Sequence, residues 1–391
     1  MHILEIPSFF TPYGGEFCLE QAKALKALGH EVRILSNVQL GMTIGGKDYM
    51  VLPFTRFEHE REGITIYQTY QRGWPRMVHH NAMHWIAIVR SMFADYVQRY
   101  GKPDILHAHC AKWAGYAAML ISKEYDIPYV MTEHLTHANL EMELGHVTAA
   151  DAWKLPMLKA AYQQAGMVIV VSDEMVDELA CYFGKDYCHV TIPNMIDTDF
   201  FSFRQRKPIN NRAFSFCCPA IYNQRKGYDV LFEAFSKLIE TDPDVMLHIA
   251  GWGTDGKACR QMIKHYRIAD RVIGHGLINS ANMRELYYQS DAMVLATRGE
   301  SQGLVIAEAM STGIPAISTE GIPASMRMDC GYSYVPIDNA ALLANEMRKA
   351  VRRPVAESEG RALSQMIAAR FSTEVIGARI VEVMTDTLLH I

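Results

Sequence analysis

Apolar positions along this chain fall into short continuous runs separated by amphipathic stretches. Residues 2–6 read as a buried strand, PSFFTPYGG as a loop, residues 16–28 as a helix stopped by Gly29, and residues 31–35 as a second strand. A strand, a crossover helix and a second strand form a βαβ opening. The alternation persists: ITIYQTY is strand-like, residues 77–99 are helical and DILHAHC is a strand. Residues 113–125 are helical, IPYVMTEH is a strand ending in polar residues, residues 154–165 form a helix, and GMVIVVS closes the half before a short helix and VTIPN. A looser stretch, residues 194–212, is rich in Pro, Asn and Arg and reads as a linker. The scheme then restarts with strand AFSFCCPA, loop IYNQRKG, a helix over 228–239 and strand VMLHIAG. Helices over 257–265, 281–289 and 304–311 alternate with RVIGHG, AMVLAT and PAIST, and helices over 340–351 and 374–389 end the chain. The pattern predicts two tandem α/β domains, each resembling a Rossmann half, with ligands beyond the carboxyl ends of the strands.

At 391 residues with 49% hydrophobic content, the chain is large enough for two cores and too apolar for disorder. Its 38 basic against 43 acidic residues give a net charge of -5, which argues against a nucleic-acid partner. Eight cysteines lack Cys-x-x-Cys or zinc spacing and read as buried thiols in a reducing compartment. No apolar run spans a bilayer, and MHILEIPSFF lacks a signal peptide's basic start, so a cytoplasmic location is expected.

The densest chemical signal is AMVLATRGESQGLVIAEAMSTGIPAIST. Glu308 is the single charge between Gly303 and Gly313, on an otherwise small and apolar helix. A buried carboxylate needs a partner, either a basic side chain or the hydroxyl pair of a ligand. The free amides of Gly303, Leu304 and Val305 at the helix start suit an anion such as phosphate. Gly14 and Gly15, between the first strand and helix, either make a plain turn or let backbone approach a phosphate. His107 and His109 lie on one face of a strand, and with no third ligand evident no metal site is expected. RGWPRMVHHNAMHWIAIVRSMF mixes Arg72, Trp74, Arg76 and Trp85 with apolar residues. It reads either as a packed amphipathic helix or as an acceptor-side or membrane-surface patch.

Glu300 and Glu308, with seven residues between them inside E-S-Q-G-L-V-I-A-E-A-M-S-T-G-I-P, resemble the E-x7-E signature of retaining family 4 glycosyltransferases. Only the aromatic usual before Gly303 is altered, to Gln302. The resemblance covers essentially the whole chain, with DILHAHCAKWAGYAAMLISKEYDIPYVMTEH similar to the family's first-domain core, VTIPNMIDTDFF to its interdomain stretch, and RKGYDVLFEAF and LHIAGWG to the opening of its second domain. It implies the GT-B fold, two Rossmann-like domains facing across a cleft. Residues 1–200 would form the acceptor-side domain, joined by a C-terminal helix over 374–391 that packs back on it, and residues 201–373 the nucleotide-sugar donor domain.

The resemblance also implies roles. Glu308 would accept the donor ribose hydroxyls, and Glu300 would contact hydroxyls of the transferred sugar beside the Gly303 and Leu304 amides. Lys226 would neutralise the leaving diphosphate, Gly14 and Gly15 would form the family's opening loop, and His134 would face the donor sugar and its β-phosphate, with Glu133 supporting it. The family's arginine five or six residues before this lysine is missing: Ala220 and Ile221 stand there, and Arg225 is the candidate replacement. The activity implied is a retaining, metal-independent transfer of a sugar from a nucleotide-diphosphate sugar to an acceptor hydroxyl, in glycan or cell-surface polysaccharide synthesis. No cofactor beyond the donor is implied. The acceptor would be a sugar, lipid-linked or small molecule, and a peripheral contact with the inner membrane face is compatible with it. The competing readings are a catalytically degenerate nucleotide-sugar-binding module and another GT-B enzyme such as a nucleotide-sugar epimerase. A nicotinamide dehydrogenase fails for lack of G-x-G-x-x-G after the first strand.

Overall fold

The computed structural model describes all residues except 13, 42–45, 53–54, 136–151, 206–211 and 391. The chain divides into two units, Met1–Met195 with Thr373–Ile391, and Ile196–Ser372. The first holds strands β1 (His2–Pro7), β2 (Glu31–Leu40), β3 (Phe57–Arg61), β4 (Ile64–Arg72), β5 (Ile105–His109), β6 (Tyr129–Glu133), β7 (Met167–Val170) and β8 (His189–Thr191). They lie in the order β3-β4-β2-β1-β5-β6-β7-β8, parallel throughout except where β3 runs against β4. Ile3, Leu4 and Ile6 are all buried, because helices on both faces require strands that are apolar on both sides. The register pairs Pro7 with His109 and His109 with Thr132, so the ends of β1, β5 and β6 stand side by side.

The second unit contains β9 (Phe214–Pro219), β10 (Val245–Ala250), β11 (Val272–Gly274), β12 (Ala292–Leu295), β13 (Ala316–Thr319) and β14 (Tyr332–Val335). Its fully parallel order is β11-β10-β9-β12-β13-β14. In both sheets the strand order reverses beside the unit's first strand, between β1 and β5 and between β9 and β12. A crevice opens at such a point because the connections leave in opposite directions.

Several elements depart from the sequence pattern. The helix expected from Trp113 begins at Tyr116. Before it, residues 110–115 make a tight turn in which Cys110 (φ 70°) and Trp113 (φ 62°, ψ −57°) adopt positive φ. Such a backbone costs about 1–3 kcal/mol per residue. Ser8 helps hold it: its hydroxyl donates to the His109 carbonyl at 2.8 Å and accepts from the Ala114 amide at 3.3 Å. Strand β3, sequence FEHER, was invisible to an apolar pattern because it is a mostly exposed edge. The helix Glu357–Phe371 was also missed, although buried Leu363, Ile367 and Phe371 recur every fourth residue.

The described part of the 194–212 stretch is not loose. Ile196 and Phe201 are buried in the second unit's core, and the Ile196 amide donates to the Phe371 carbonyl at 2.7 Å. Residues 206–211 lie outside the described residues. The cysteines are not uniformly buried either, since Cys181, Cys188 and Cys330 are exposed. The Arg/Trp-rich segment is mainly the helix Val78–Tyr100, which buries Trp85 and directs its indole N–H to the Asn37 carbonyl at 2.7 Å, while Trp74 before it is exposed. Among the described residues no helix is long and apolar enough to cross a membrane.

The C-terminal helix Thr373–Leu389 belongs to the first unit and buries Ile376, Gly377, Ile380, Val383 and Met384. It packs on the helix Glu16–Ala27 closely enough that a Cβ at Gly377 would stand 3.2 Å from Leu28 Cδ1 and 3.4 Å from Ala24 Cβ. Gly377→Leu should therefore overpack this contact and cost about 1–3 kcal/mol in denaturant unfolding. An unchanged midpoint would mean that the helix is not docked there.

Candidate functional site

In the second unit, the crevice between β9 and β12 is built from two loops tied to each other. The Arg298 amide donates to the Arg225 carbonyl at 2.7 Å, and the Arg225 guanidinium donates to the Gly299 carbonyl at 3.2 Å. Arg298 is held by Asp229 and Asp338, each at 2.7 Å, and so braces the loops. Between them Lys226 Nζ forms an ion pair with Glu300, both side chains being largely buried. The Thr297 hydroxyl donates to the same Glu300 oxygen at 2.9 Å. The structure therefore brings Arg225, Lys226 and Glu300 together, with the Arg225 head turned to backbone.

Two helices start at this crevice, and neither has a side-chain cap. Tyr228–Ile239 opens at Gly227 (φ 61°) and Leu304–Ser311 at Gly303 (φ 83°), both left-handed. A Cβ at Gly227 would lie 2.0 Å from the Ala296 carbonyl, so glycine is required for the approach of the two loops. The Asp229 carboxylate takes the Asp229 and Val230 amides of the first helix, and the start of the second, with no side-chain cap, favours an anion.

One turn into the second helix, Glu308 accepts a hydrogen bond from the Tyr287 hydroxyl at 2.8 Å. Burial pushes its carboxyl above the usual carboxylate range, against the pull of that bond. No basic side chain pairs with it among the described residues, so the arginine-paired structural alternative is not what the fold provides. Tyr287 was not legible in the sequence as its partner. Ala220 is buried and Ile221 exposed where the family arginine would stand. Trp252 and Leu277, just beyond β10 and β11, expose large apolar surfaces on loops joined by the Gly251–Gly276 backbone bond of 2.8 Å.

In the first unit, Gly14 (φ 99°) and Gly15 (φ 80°) follow β1, and Gly15 is the uncapped start of Glu16–Ala27. A Cβ on Gly15 would strike the Phe9 carbonyl at 2.2 Å. His134 follows β6 and stacks on Phe17 with ring centroids 3.6 Å apart. Glu133 is wholly buried and binds backbone on both neighbouring loops. It accepts from the amides of His134 (2.8 Å), Leu135 (2.9 Å) and Ala111 (3.1 Å) and from the Tyr162 hydroxyl (2.8 Å). Burial raises its affinity for a proton; these four donors oppose it.

The expectation that His107 and His109 lack a third partner is corrected by Glu5, from β1. Its carboxylate stands 2.9 Å from His107 Nδ1 and 2.6 Å from His109 Nε2, with all three side chains buried. Strand pairing brings them together from positions about a hundred residues apart, which no local motif could reveal. These are hydrogen-bond lengths, shorter than the roughly 3.3 Å expected between ligands sharing a tetrahedral ion. His107 Nε2 lies 2.7 Å from the Thr132 hydroxyl, and His109 Nδ1 lies 3.3 Å from His134 Nε2.

Burial alone would push the Glu5 carboxyl up, but the two histidines outweigh it and hold it down to about 2. With a folded value below the usual one of 4.5, Glu5 stabilises the fold above that pH and loses its contribution as pH falls toward 2. Glu5→Gln should thus cost on the order of 3 kcal/mol at pH 7. The difference from wild type should shrink on acidification through this window, as followed by urea unfolding. A pH-independent difference would contradict the ionised Glu5.

Residues 14–200 match the family described as Glycosyltransferase Family 4, and residues 213–353 match Glycosyl transferases group 1. Mannosylfructose-phosphate synthase of Agrobacterium fabrum is 27% identical over 233 residues, 53% of this chain and 51% of that protein. The chain thus spans about half the length of that curated relative. Sucrose-phosphate synthase from Thermosynechococcus elongatus shares the fold with a TM-score of 0.79 at 18% identity, over 100% of both chains. Anabaena HepE in complex with UDP does so with a TM-score of 0.72 at 17% identity, over 99% of this chain and 100% of that one. Both matched segments, one in each Rossmann-like unit, agree with a GT-B architecture, and the chain belongs to glycosyltransferase family 4.

Proposed function

We propose that the protein is a retaining, metal-independent glycosyltransferase that transfers a sugar from a nucleoside-diphosphate sugar to an acceptor hydroxyl in glycan or cell-surface polysaccharide synthesis. The observation that carries this reading is the crevice between β9 and β12. The start of the helix Leu304–Ser311, without a side-chain cap, and Lys226 lie there, one helical turn from a carboxylate without a basic partner among the described residues. That arrangement suits a diphosphate next to a ribose. The amides and Lys226 take the charge that grows on the leaving diphosphate, and Glu308 takes ribose hydroxyls. Trp252 and Leu277 offer the base an apolar surface. UDP bound to Anabaena HepE, a structure of the same fold, makes uridine the first base to test.

Glu300 is fixed by Lys226 and Thr297, which suits positioning of the transferred sugar rather than nucleophilic attack. The retaining course then needs no protein nucleophile: the acceptor attacks from the face that the diphosphate leaves, and the departing phosphate oxygen takes its proton. Helix amides and Lys226 supply the diphosphate neutralisation that a metal ion supplies elsewhere, so we read the reaction as metal-independent. The acceptor, whether a sugar, a lipid-linked or a small molecule, falls to the first unit in this reading, with Gly14 and Gly15 in its opening loop.

Two variants test the site. Glu308→Ala should weaken UDP binding roughly 10- to 100-fold in titration calorimetry, from the loss of hydrogen bonds to a charged acceptor. Lys226→Ala should lower turnover of the donor by about 100- to 1,000-fold, a larger effect than the thermal stability lost by leaving Glu300 without its ion-pair partner. Wild-type affinity and turnover in both would dismiss the assignment. UDP-sugar binding without hydrolysis or transfer across a broad acceptor panel would favour a degenerate binding module, and interconversion of the donor sugar without transfer an epimerase.

A further inference from the structure

The outer edge of the second unit's sheet carries two histidines that the donor reading leaves without a task. His248 lies on β10 and pairs in register with Ile273 of β11. His275 follows Ile273 by two residues and so stands on the same face of the sheet. Its amide donates to the Ile249 carbonyl at 2.9 Å, which carries the strand pairing just past the end of β11. The two rings are thereby set nitrogen to nitrogen, with His248 Nδ1 3.1 Å from His275 Nε2 and ring centroids 5.3 Å apart.

Neither side chain has a further hydrogen bond or an ion pair among the described residues. That separates them from His107 and His109, whose nitrogens are taken by Glu5, Thr132 and His134 inside the first unit. This pair is also open to water, His248 being half-buried and His275 exposed. Burial lowers the proton affinity of both imidazoles, and His275 adds to the effect on His248, so both rings are neutral at pH 7. A neutral imidazole has one proton for two nitrogens. Carried on the two outer nitrogens, those protons leave a bare nitrogen on each ring facing the other. Two ligands of one tetrahedral ion stand roughly 3.3 Å apart, so a small rotation of either exposed ring brings the pair to that spacing. Imidazole nitrogen suits zinc, copper and nickel.

We infer that His248 and His275 form a two-histidine site for a divalent transition-metal ion of the zinc and copper class, with water completing its coordination. The ion ties β11 to β10 at a place where little else does. β11 is a three-residue edge strand, and its Ile273 is 42% exposed. The role is structural, since the β10–β11 pair lies on the far side of β9 from the crevice between β9 and β12. The inference therefore stands independently of the glycosyltransferase reading and leaves its metal-independent chemistry as it is.

The full chain, stripped with EDTA and dialysed, is titrated calorimetrically with zinc chloride. His248→Asn and His275→Asn should each bind one zinc ion fewer per chain than the wild type. A second measurement needs no variant. Copper(II) is paramagnetic, so copper chloride added to 15N-labelled wild type should broaden the amide signals of residues 272–277. The broadening should vanish in His248→Asn and in His275→Asn. Zinc stoichiometry unchanged in both variants would overturn the inference. So would signals of residues 272–277 that stay sharp in wild type with copper, or a wild type that binds neither ion.

Discussion

The reversal of strand order beside the first strand of each sheet is the constraint on which the rest depends. Parallel strands β9 and β12 are hydrogen-bonded neighbours that send their connections to opposite sides, so a crevice opens beyond their carboxyl ends. The Arg298–Arg225 bond and the close approach of Gly227 to Ala296 tie the two loops that border it. Once these loops are joined, two helices start beside the crevice, the first with the Asp229 carboxylate on its Asp229 and Val230 amides. The charged groups then arrange themselves around this crevice: Arg298 is consumed in bracing, Arg225 on a carbonyl, and Lys226 on Glu300.

The same reversal in the first unit, between β1 and β5, produces a different chemistry. There the strand ends carry Glu5, His107, His109 and Glu133, all buried, and the register of β1 with β5 and β6 sets which of them can touch. Two buried carboxylates lie two strands apart with opposite behaviour. Glu5 is held ionised by imidazoles, while Glu133, with only amides and a hydroxyl against it, is driven by burial toward protonation. Neutral donors soften the cost of burying a charge; the histidines beside Glu5 outweigh it.

What the sequence could disclose follows from the range of the interactions. Strands buried on both faces and amphipathic helices carry their own periodicity, so both Rossmann-like units and their loops were legible. So was Glu308, because a lone charge on a small apolar helix contradicts its surroundings within ten residues. Glu5 was not: within MHILEIP it reads only as a polar interruption, and its meaning comes from histidines a hundred positions later, across a strand pairing. Tyr287 as the partner of Glu308, and Ser8 as the brace of the strained 110–115 turn, are hidden for the same reason. Strand β3 escaped because an exposed edge strand has no apolar alternation to read.

The absent arginine at positions 220 and 221 changes how the remaining cation must work. Lys226 is already neutralised by Glu300, both being largely shielded from water. A diphosphate entering this crevice must draw the ammonium away from, or share it with, a carboxylate that Thr297 continues to hold in place. Losing the ion pair entirely would leave Glu300 desolvated and unpaired, a cost that can exceed the gain from one new phosphate contact. Sharing avoids that cost, because an ammonium carries three donors and can bridge a carboxylate and a phosphate oxygen at once. Under the proposed function, the start of the helix at Gly303 would then carry part of the work that a second guanidinium would have done.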